Sequence, residues 1–543
     1  MFGIIYLYFT YSREADSIAF KQNNYNETDL LNDSYIQTSE RTKRWIEKSW
    51  AEPFATLLFP AINEQRFDVL YHEDNGRPNA PVNYIVGALI LKEMLGLTDE
   101  DLILRCHTDI CFHHALHSTS WKEQPVSDRT FSRFRERCYL YELETGHDLI
   151  QEEMESLSDT LTAYFNVKGT QKRMDSMMIA SNARKLSRLE LLYTCLERVI
   201  RKVKEGYPSI DLSEYMHYLD ALHENKFIYH SDQPYNEKLS LILTDASRFK
   251  HSFYSELKED NDFHLLCRAL DDQTTTDEKG NVSVKKGKEI SPASLQSPVE
   301  PEATYRYKSG KHYKGYVANV IETVGEELSF ITQYAFETNV HSDTSFAFEA
   351  IEKLGKQDQP TTLVADGAYD SEDARTLGQS NGIDLVTTEL KGRSPNPAYA
   401  GILIDEDTQT IELPNGVQAD SVRYYEKTDT YRVLFTHESC EASEACAVYD
   451  KMTHQKKHRV LVITPRMIRR ANQAKEMSTK AFLQLTYFRN GVEGIPSVLR
   501  RAYNVDRIPF RGSVRKKHCL GLKIMAINAK KAIRYQQNQQ KAS

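Results

Sequence analysis

Three carboxylates stand out by position. Asp175 lies inside the strand-like QKRMDSMMI, and Asp366 ends the apolar run TTLVAD and meets Gly367. Glu493 lies in RNGVEGIPSVLRRAYNVDRIPFRGSVRKK, a stretch holding eight Lys or Arg and two acids. Singly, each has an ordinary explanation: an Asp at a strand end forms a turn, and a Glu among arginines makes a surface ion pair. Together they suggest a different chemistry. Strand ends in an α/β sheet converge on one edge, and a helix packed over that edge can bring a third acid. Three clustered anions repel unless a cation lies among them, and hard oxygen donors select magnesium or manganese. Two such ions, about 3.5–4 Å apart, activate water or a 3′-hydroxyl and stabilise the leaving oxygen of a phosphodiester. On this reading Glu493 faces the metal, while Arg489 and Arg500 face the phosphates.

The charge distribution supports a polyanionic partner. The chain has 543 residues and a net charge of −8. From Arg489 to the end there are 13 Lys or Arg against 2 acids, so this part carries +11 and the rest −19. A basic end of this kind reads as a phosphate-binding surface or as a solvated tail. Arg501, beside Arg500, belongs to the same basic surface, and Lys391 and Arg393, in KGR after IDLVTT, are further phosphate candidates.

The elements that must position these groups can be sketched. The length allows two to four structural units. NGRPNAP (75–81) is a breaker, and VNYIVGALILKEMLG reads as a buried helix stopped by Gly96. Thr98 and Asp101 form a capping-box start for the next helix, and DEDLILRCHTDICFHHALH continues as one or two more. Ser127 is placed to cap DRTFSRFRERCYLYEL, whose Arg129 and Arg133 are candidate DNA contacts. This run of short helices suits either a helix-turn-helix-like domain or a plain packing domain. Leu189, Leu192, Leu196, Val199 and Val203 mark an amphipathic helix. The polar 271–303 reads as a linker or mobile loop. Residues 312–324 and 327–337 read as an antiparallel pair. TTLVAD and IDLVTT, with EDARTLGQS between them, read as a parallel βαβ unit. Short strands fill 400–465, and helix resumes from about 467, kinked or restarted at Pro496.

Some classes are excluded or left open. No run reaches the roughly 18 apolar residues of a membrane span. The opening MFGIIYLYFTYSREADS lacks a basic start and a cleavage site, so it does not read as a signal peptide. Eight dispersed cysteines suit a reducing cytoplasm. Cys440 and Cys446, followed by His454 and His458, read either as a zinc site of unusual spacing or as loop residues.

Over roughly 65–535 the chain resembles the DDE transposases of bacterial insertion sequences. MDSMMIASNARK is similar to their first-aspartate motif, LVADGAYDS to the second, and RNGVEGIPSVLRR to the motif around the catalytic glutamate. NGRP with its apolar helix, and VSDRTFSRFRER, resemble their N-terminal helical part. One related group carries R-x3-E-x6-K; here Arg489-x3-Glu493-x6-Arg500 keeps the spacing with Arg for Lys, and Tyr487 is one place off that group's tyrosine. A CPxG turn found in similar proteins is ELPNG here, with Leu413 in the cysteine's place.

The resemblance implies an α/β fold: an RNase H-like catalytic core with a helical insertion and a β-strand insertion, preceded by an all-α N-terminal domain. The expected division is an extension over 1–65, a helical DNA-binding domain over 66–165 and the catalytic domain over 166–543. Within the last lie a helical insertion and linker (186–303), a β insertion (395–465) and a basic region (489–543). It also implies that Asp175, Asp366 and Glu493 are catalytic and bind two Mg2+ (or Mn2+) ions. Asp370 and Ser176 read as their supports or as turn and strand residues. The implied activity is cleavage at element ends followed by strand transfer. Implied partners are double-stranded DNA, as terminal inverted repeats and target, and a second copy in a homodimer on DNA, with no membrane. The implied location is cytoplasmic, with the nucleoid. Two alternatives stay open: an inactive DNA-binding regulator derived from a transposase, and a nuclease of the same fold.

Overall fold

Hydrophobic periodicity and local capping account for most of the elements. The computed structural model describes residues 18–23, 35–72, 77–118, 126–208, 210–220, 222–276, 282–308, 310–405, 410–436, 438–439, 443, 446–455 and 458–542. The opening MFGIIYLYFTYSREADS, part of NGRPNAP, and Cys440 lie outside them. The principal elements, in chain order, are α1 Val82–Leu95, α2 Asp99–Thr108, α3 Thr130–Thr145, α4 Leu149–Tyr164, β1 Gln171–Ala180, α5 Arg188–Gly206, α6 Tyr235–Ser252 and α7 Asn261–Gln273. They continue with β2 Thr304–Lys308, β3 Lys311–Val324, β4 Ser329–Thr338, α8 Asp343–Leu354, β5 Thr361–Ala365, α9 Glu372–Ser380 and β6 Ile383–Thr387. The last are β7 Ser421–Tyr425, β8 Thr430–Phe435, β9 His458–Ile463, α10 Pro465–Met477, α11 Lys480–Asn490, α12 Gly494–Tyr503 and α13 Ser513–Ala542. The architecture is mixed α/β. The chain divides into two units: Met1–Gly169 with Ser176–Ser342 and Ile495–Ser543, and Thr170–Asp175 with Asp343–Gly494.

In the first unit, α1 ends at Gly96 in the left-handed conformation, and α2 starts on the Thr98/Asp101 capping box. Ser127 does not cap α3, whose N-cap is Arg129. The Thr130 hydroxyl accepts from the Ser127 backbone N–H instead. Helix α13 packs along α1, α4 and β4, so the N-terminal helices share one unit with it. Strand β3 pairs antiparallel with β2 and β4 and neighbours β1. Gly315 on β3 has φ +146°, and a Cβ there would strike the Ile179 carbonyl and lie 2.6 Å from the Ser181 nitrogen. Helices α5, α6 and α7 bury their apolar stripes against one another, through Leu192, Leu196, Val199, Ile242, Phe249 and Leu266.

The expected linker at 271–303 is packed where it is described. Leu295 joins the apolar cluster of α5–α7. Glu300 is fully buried and paired with the equally buried Lys516 at 3.3 Å. It also accepts from the Ser181 hydroxyl, the Asn182 N–H and the Gly512 N–H. A polar composition hid this because its anchor is one buried acid rather than an apolar stripe.

The second unit holds three parallel strands in the order β6–β5–β1. The strands of residues 403–463 carry their own apolar core of Ile411, Val433, Phe435, Leu461 and Ile463. Helix α10 follows, then α11 and a short 3-10 turn at Gly491–Glu493; α12 comes next in the chain and from Ile495 on belongs to the first unit. The helical stretch expected from about 467 is therefore broken before Pro496, which sits in the first turn of α12, where its missing N–H costs nothing.

Candidate active site

Alternation along β1 puts Lys172 and Met174 on a buried face and Arg173 and Asp175 on the other. Strand β1 pairs parallel with β5, Arg173 opposite Val364. Carrying that register forward two residues sets Asp175 level with Asp366. Adjacent strands lie about 4.8 Å apart, so the two acids occupy neighbouring positions on one edge.

Asp366 is fixed by the turn it begins, its Oδ1 accepting from the Ala368 N–H at 2.7 Å. Gly367 is required next to it, because a Cβ there would run into the backbone of Glu389, whose carbonyl carbon would be 2.8 Å away. The following loop is tied down by Arg375, which bonds the Asp370 carboxylate at 2.8 Å, the Leu385 carbonyl at 2.9 Å and the Thr387 hydroxyl at 2.9 Å. Asp370 thus serves the loop through Arg375.

Glu493 closes the 3-10 turn after α11 and is 58 % exposed. Arg489 lies one turn earlier and is only 13 % exposed. Its Nη2 is 3.5 Å from an Asp175 oxygen and 3.7 Å from an Asp366 oxygen, and its Nη1 pairs with Glu493. One guanidinium therefore meets all three acids. Its Nε is buried with no hydrogen-bond partner among the described residues. The expectation that Arg489 lies along a phosphate path meets a different geometry, in which the side chain is turned into the acids.

Arg173 was not singled out from the sequence. Its Nη1 donates to the Phe488 carbonyl at 2.7 Å and its guanidinium lies over the Phe488 ring. It occupies the space left by the absent side chain of Gly491, where a Cβ would collide with it. The available signal was its spacing: it is two residues before Asp175 and so on the same face of the strand.

The donor set fits a hard divalent cation, since three carboxylates gather on a single positive charge. They do not form a tight ligand cluster as they stand. Among the described residues, the group whose ligand atoms all lie within 4.8 Å of one another is Glu142, Asp148 and His518, in the first unit. There Lys517 already pairs with Glu142 and lies 3.2 Å from Asp148. Cys446 packs in the apolar core of the β strands, and His458 bonds Gln455 at 2.7 Å, so neither is arranged as a ligand.

The other basic candidates divide sharply. Arg500 donates to the Met178 carbonyl at 3.1 Å and pairs with Asp506 at 3.3 Å. Arg129, Arg133, Arg501, Lys391 and Arg393 are exposed. Much of the basic C-terminal run is internally committed: Arg515 to Glu136, Lys516 to Glu300, Lys517 to Glu142, Lys523 to Glu93 and Lys531 to Glu322. Exposed Arg501, Arg507 and Arg511 make no such pair among the described residues.

Two family descriptions match the chain. One, Transposase domain (DUF772), covers residues 45–137. The other, Transposase DDE domain, covers residues 414–533 and so includes Arg489 and Glu493. Asp175 and Asp366 lie outside both spans. No curated protein and no solved structure matches the chain.

Proposed function

Because this chain belongs to the DDE transposases of insertion elements, we propose that it cleaves double-stranded DNA at the terminal inverted repeats of its element and joins the ends to target DNA. The observation that carries this reading is the meeting of Asp175, Asp366 and Glu493 on one cation. The parallel β6–β5–β1 strands and the antiparallel β2–β3–β4 strands support an RNase H-like core. Asp175, Asp366 and Glu493 would hold two magnesium or manganese ions, which supply Lewis acidity at the phosphodiester and make an attacking hydroxyl more acidic.

The chain's own residues have separable tasks. Arg173 holds the end of α11 to β1, and Arg375 with Asp370 holds the loop beyond Asp366, so the three acids keep their places. Arg129, Arg133, Arg501, Lys391 and Arg393 bind the DNA backbone. Arg500, tied to Met178 and Asp506, offers the duplex only its half-exposed edge. Water attacks the phosphodiester at the element boundary and frees a 3′-hydroxyl. That hydroxyl then attacks a target phosphodiester, one P–O bond forming as another breaks, with no covalent protein intermediate. Two copies would hold the two element ends. Among the described residues no helix is long and apolar enough to cross a membrane, and the proposed location is the cytoplasm, at the nucleoid.

The test is cleavage of a labelled duplex carrying the element end, with magnesium or EDTA, for wild type and Asp366→Asn. Magnesium-dependent nicking at the boundary, lost in the variant with DNA binding kept, is expected. Binding without cleavage in any metal would move the assignment to a regulator. Nicking without joined products on a target plasmid would move it to a nuclease.

A further inference from the structure

We infer that Arg489 is the resident counter-ion of the Asp175–Asp366–Glu493 trio, and that a divalent cation enters by displacing its guanidinium. This rests on the reading of the trio as metal ligands. Three negative charges converge on a single positive one. Left alone, clustered carboxylates repel, so the apo site needs a cation of its own, and Arg489 contacts all three acids.

The manner of its contact makes it displaceable. The separations to Asp175 and Asp366, 3.5 and 3.7 Å, are beyond good hydrogen bonds. Its Nε is buried without a partner among the described residues, so part of its bonding capacity is unused there. The closest pair, with Glu493, has a carboxylate that is 58 % exposed, so water and salt screen that end of it. A magnesium ion carries twice the charge and approaches carboxylate oxygens to about 2.0–2.1 Å, so Coulomb attraction favours the exchange.

The displaced guanidinium then has a use. It sits beside the trio with its charge released, next to the position a scissile phosphate must take. Arg489 would pass from carboxylates to phosphate, and the sequence expectation and the observed geometry become two states of one side chain. Metal and DNA binding are then coupled, each raising affinity for the other.

The experiment is a Mn2+ titration, read by the EPR signal of free Mn2+, on wild type, Arg489→Gln, Arg489→Lys and Asp366→Asn, with far-UV circular dichroism on each. Arg489→Gln should bind Mn2+ about tenfold more tightly than wild type. Asp366→Asn should lose binding, and a duplex should tighten Mn2+ binding in wild type but not in Arg489→Gln. Equal or weaker binding by Arg489→Gln, with Asp366→Asn still defective, overturns the counter-ion role and leaves the trio as the metal site. Unchanged binding in Asp366→Asn overturns both. If Arg489→Gln loses its dichroism, Arg489→Lys carries the test, since its compact ammonium should compete less well: tighter binding than wild type supports displacement, and equal or weaker binding refutes it.

Discussion

Arg173 donates to the Phe488 carbonyl across 2.7 Å, so the strand that bears Asp175 grips the helix that bears Arg489. This bond spans 315 residues of sequence. It fixes the end of α11 relative to β1 without touching any reacting atom.

Arg173→Ala should therefore slow cleavage rather than weaken DNA binding. A displacement of about 1 Å at a reacting centre costs on the order of 100-fold in rate. Single-turnover cleavage should fall by about that factor while the duplex dissociation constant stays put, and Arg173→Lys should recover part of the rate. A loss confined to affinity would refute the positioning role.

Gly367→Ala brings a methyl group against the Glu389 backbone, which cannot rotate away. Strain of this kind costs about 1–3 kcal/mol. Urea melts should show that loss, and cleavage should fall with it because Asp366 is the preceding residue.

The buried Glu300–Lys516 pair secures the 271–303 segment. Glu300→Ala leaves an uncompensated buried ammonium and should cost about 3–5 kcal/mol in chemical denaturation. The double change Glu300→Leu with Lys516→Met should cost less than Glu300→Ala alone, since no charge is then stranded.

Acid should loosen the first unit at two carboxylates. Burial pushes the Glu190 carboxyl up, but the Tyr229 hydroxyl, the Ser187 N–H and hydroxyl and the Arg184 charge outweigh it and bring it from 4.5 to about 2. Burial likewise pushes Glu142 up, and bonds from His518 and Lys517 hold it below 4.5. A pKa lowered on folding contributes stability above the unfolded value, lost as pH falls through the folded one. Melting temperature should fall as pH drops from about 4.5 toward 2. Glu190→Gln should flatten that slope, and an unchanged profile would refute the assignment.

Salt dependence should separate committed from available cations. Arg501→Ala, Lys391→Ala and Arg393→Ala should each lower the salt slope of duplex binding by about one unit. Lys531→Ala should leave it unchanged, because that ammonium already pairs with Glu322 at 2.7 Å.

Local patterns made several strands readable. Alternation and apolar runs locate β1, β3, β4, β5 and β6, and the βαβ spacing sets β5 beside β6, while the pairing of β5 with β1 appears only in the structure. From there Asp175 and Asp366 could be chosen by position. Which cation meets them could not be read, because Arg489 lies more than 100 residues from either acid and nothing local marks its rotamer. The same limit hides Arg173, whose partner is a backbone carbonyl, and Glu300, whose partner is one lysine in a run of three cations, Arg515, Lys516 and Lys517. Net charge misleads for a related reason: composition counts charges but cannot tell paired ones from free. Ser127 failed as a cap because a neighbouring hydroxyl, that of Thr130, bonds its N–H and the helix starts later.

The cations of α13 set an order of events during synthesis. Glu142 must wait 375 residues for Lys517, and Glu93 must wait 430 for Lys523. Until those lysines leave the ribosome, these two ion pairs cannot form, and the helices that carry Glu93 and Glu142 lack their packing against α13. Domains tend to fold as units while the chain emerges, but this unit is completed by residues made late. A nascent chain ending before Ser513 should stay open and protease-sensitive, so a prematurely terminated copy would be removed before it could engage DNA.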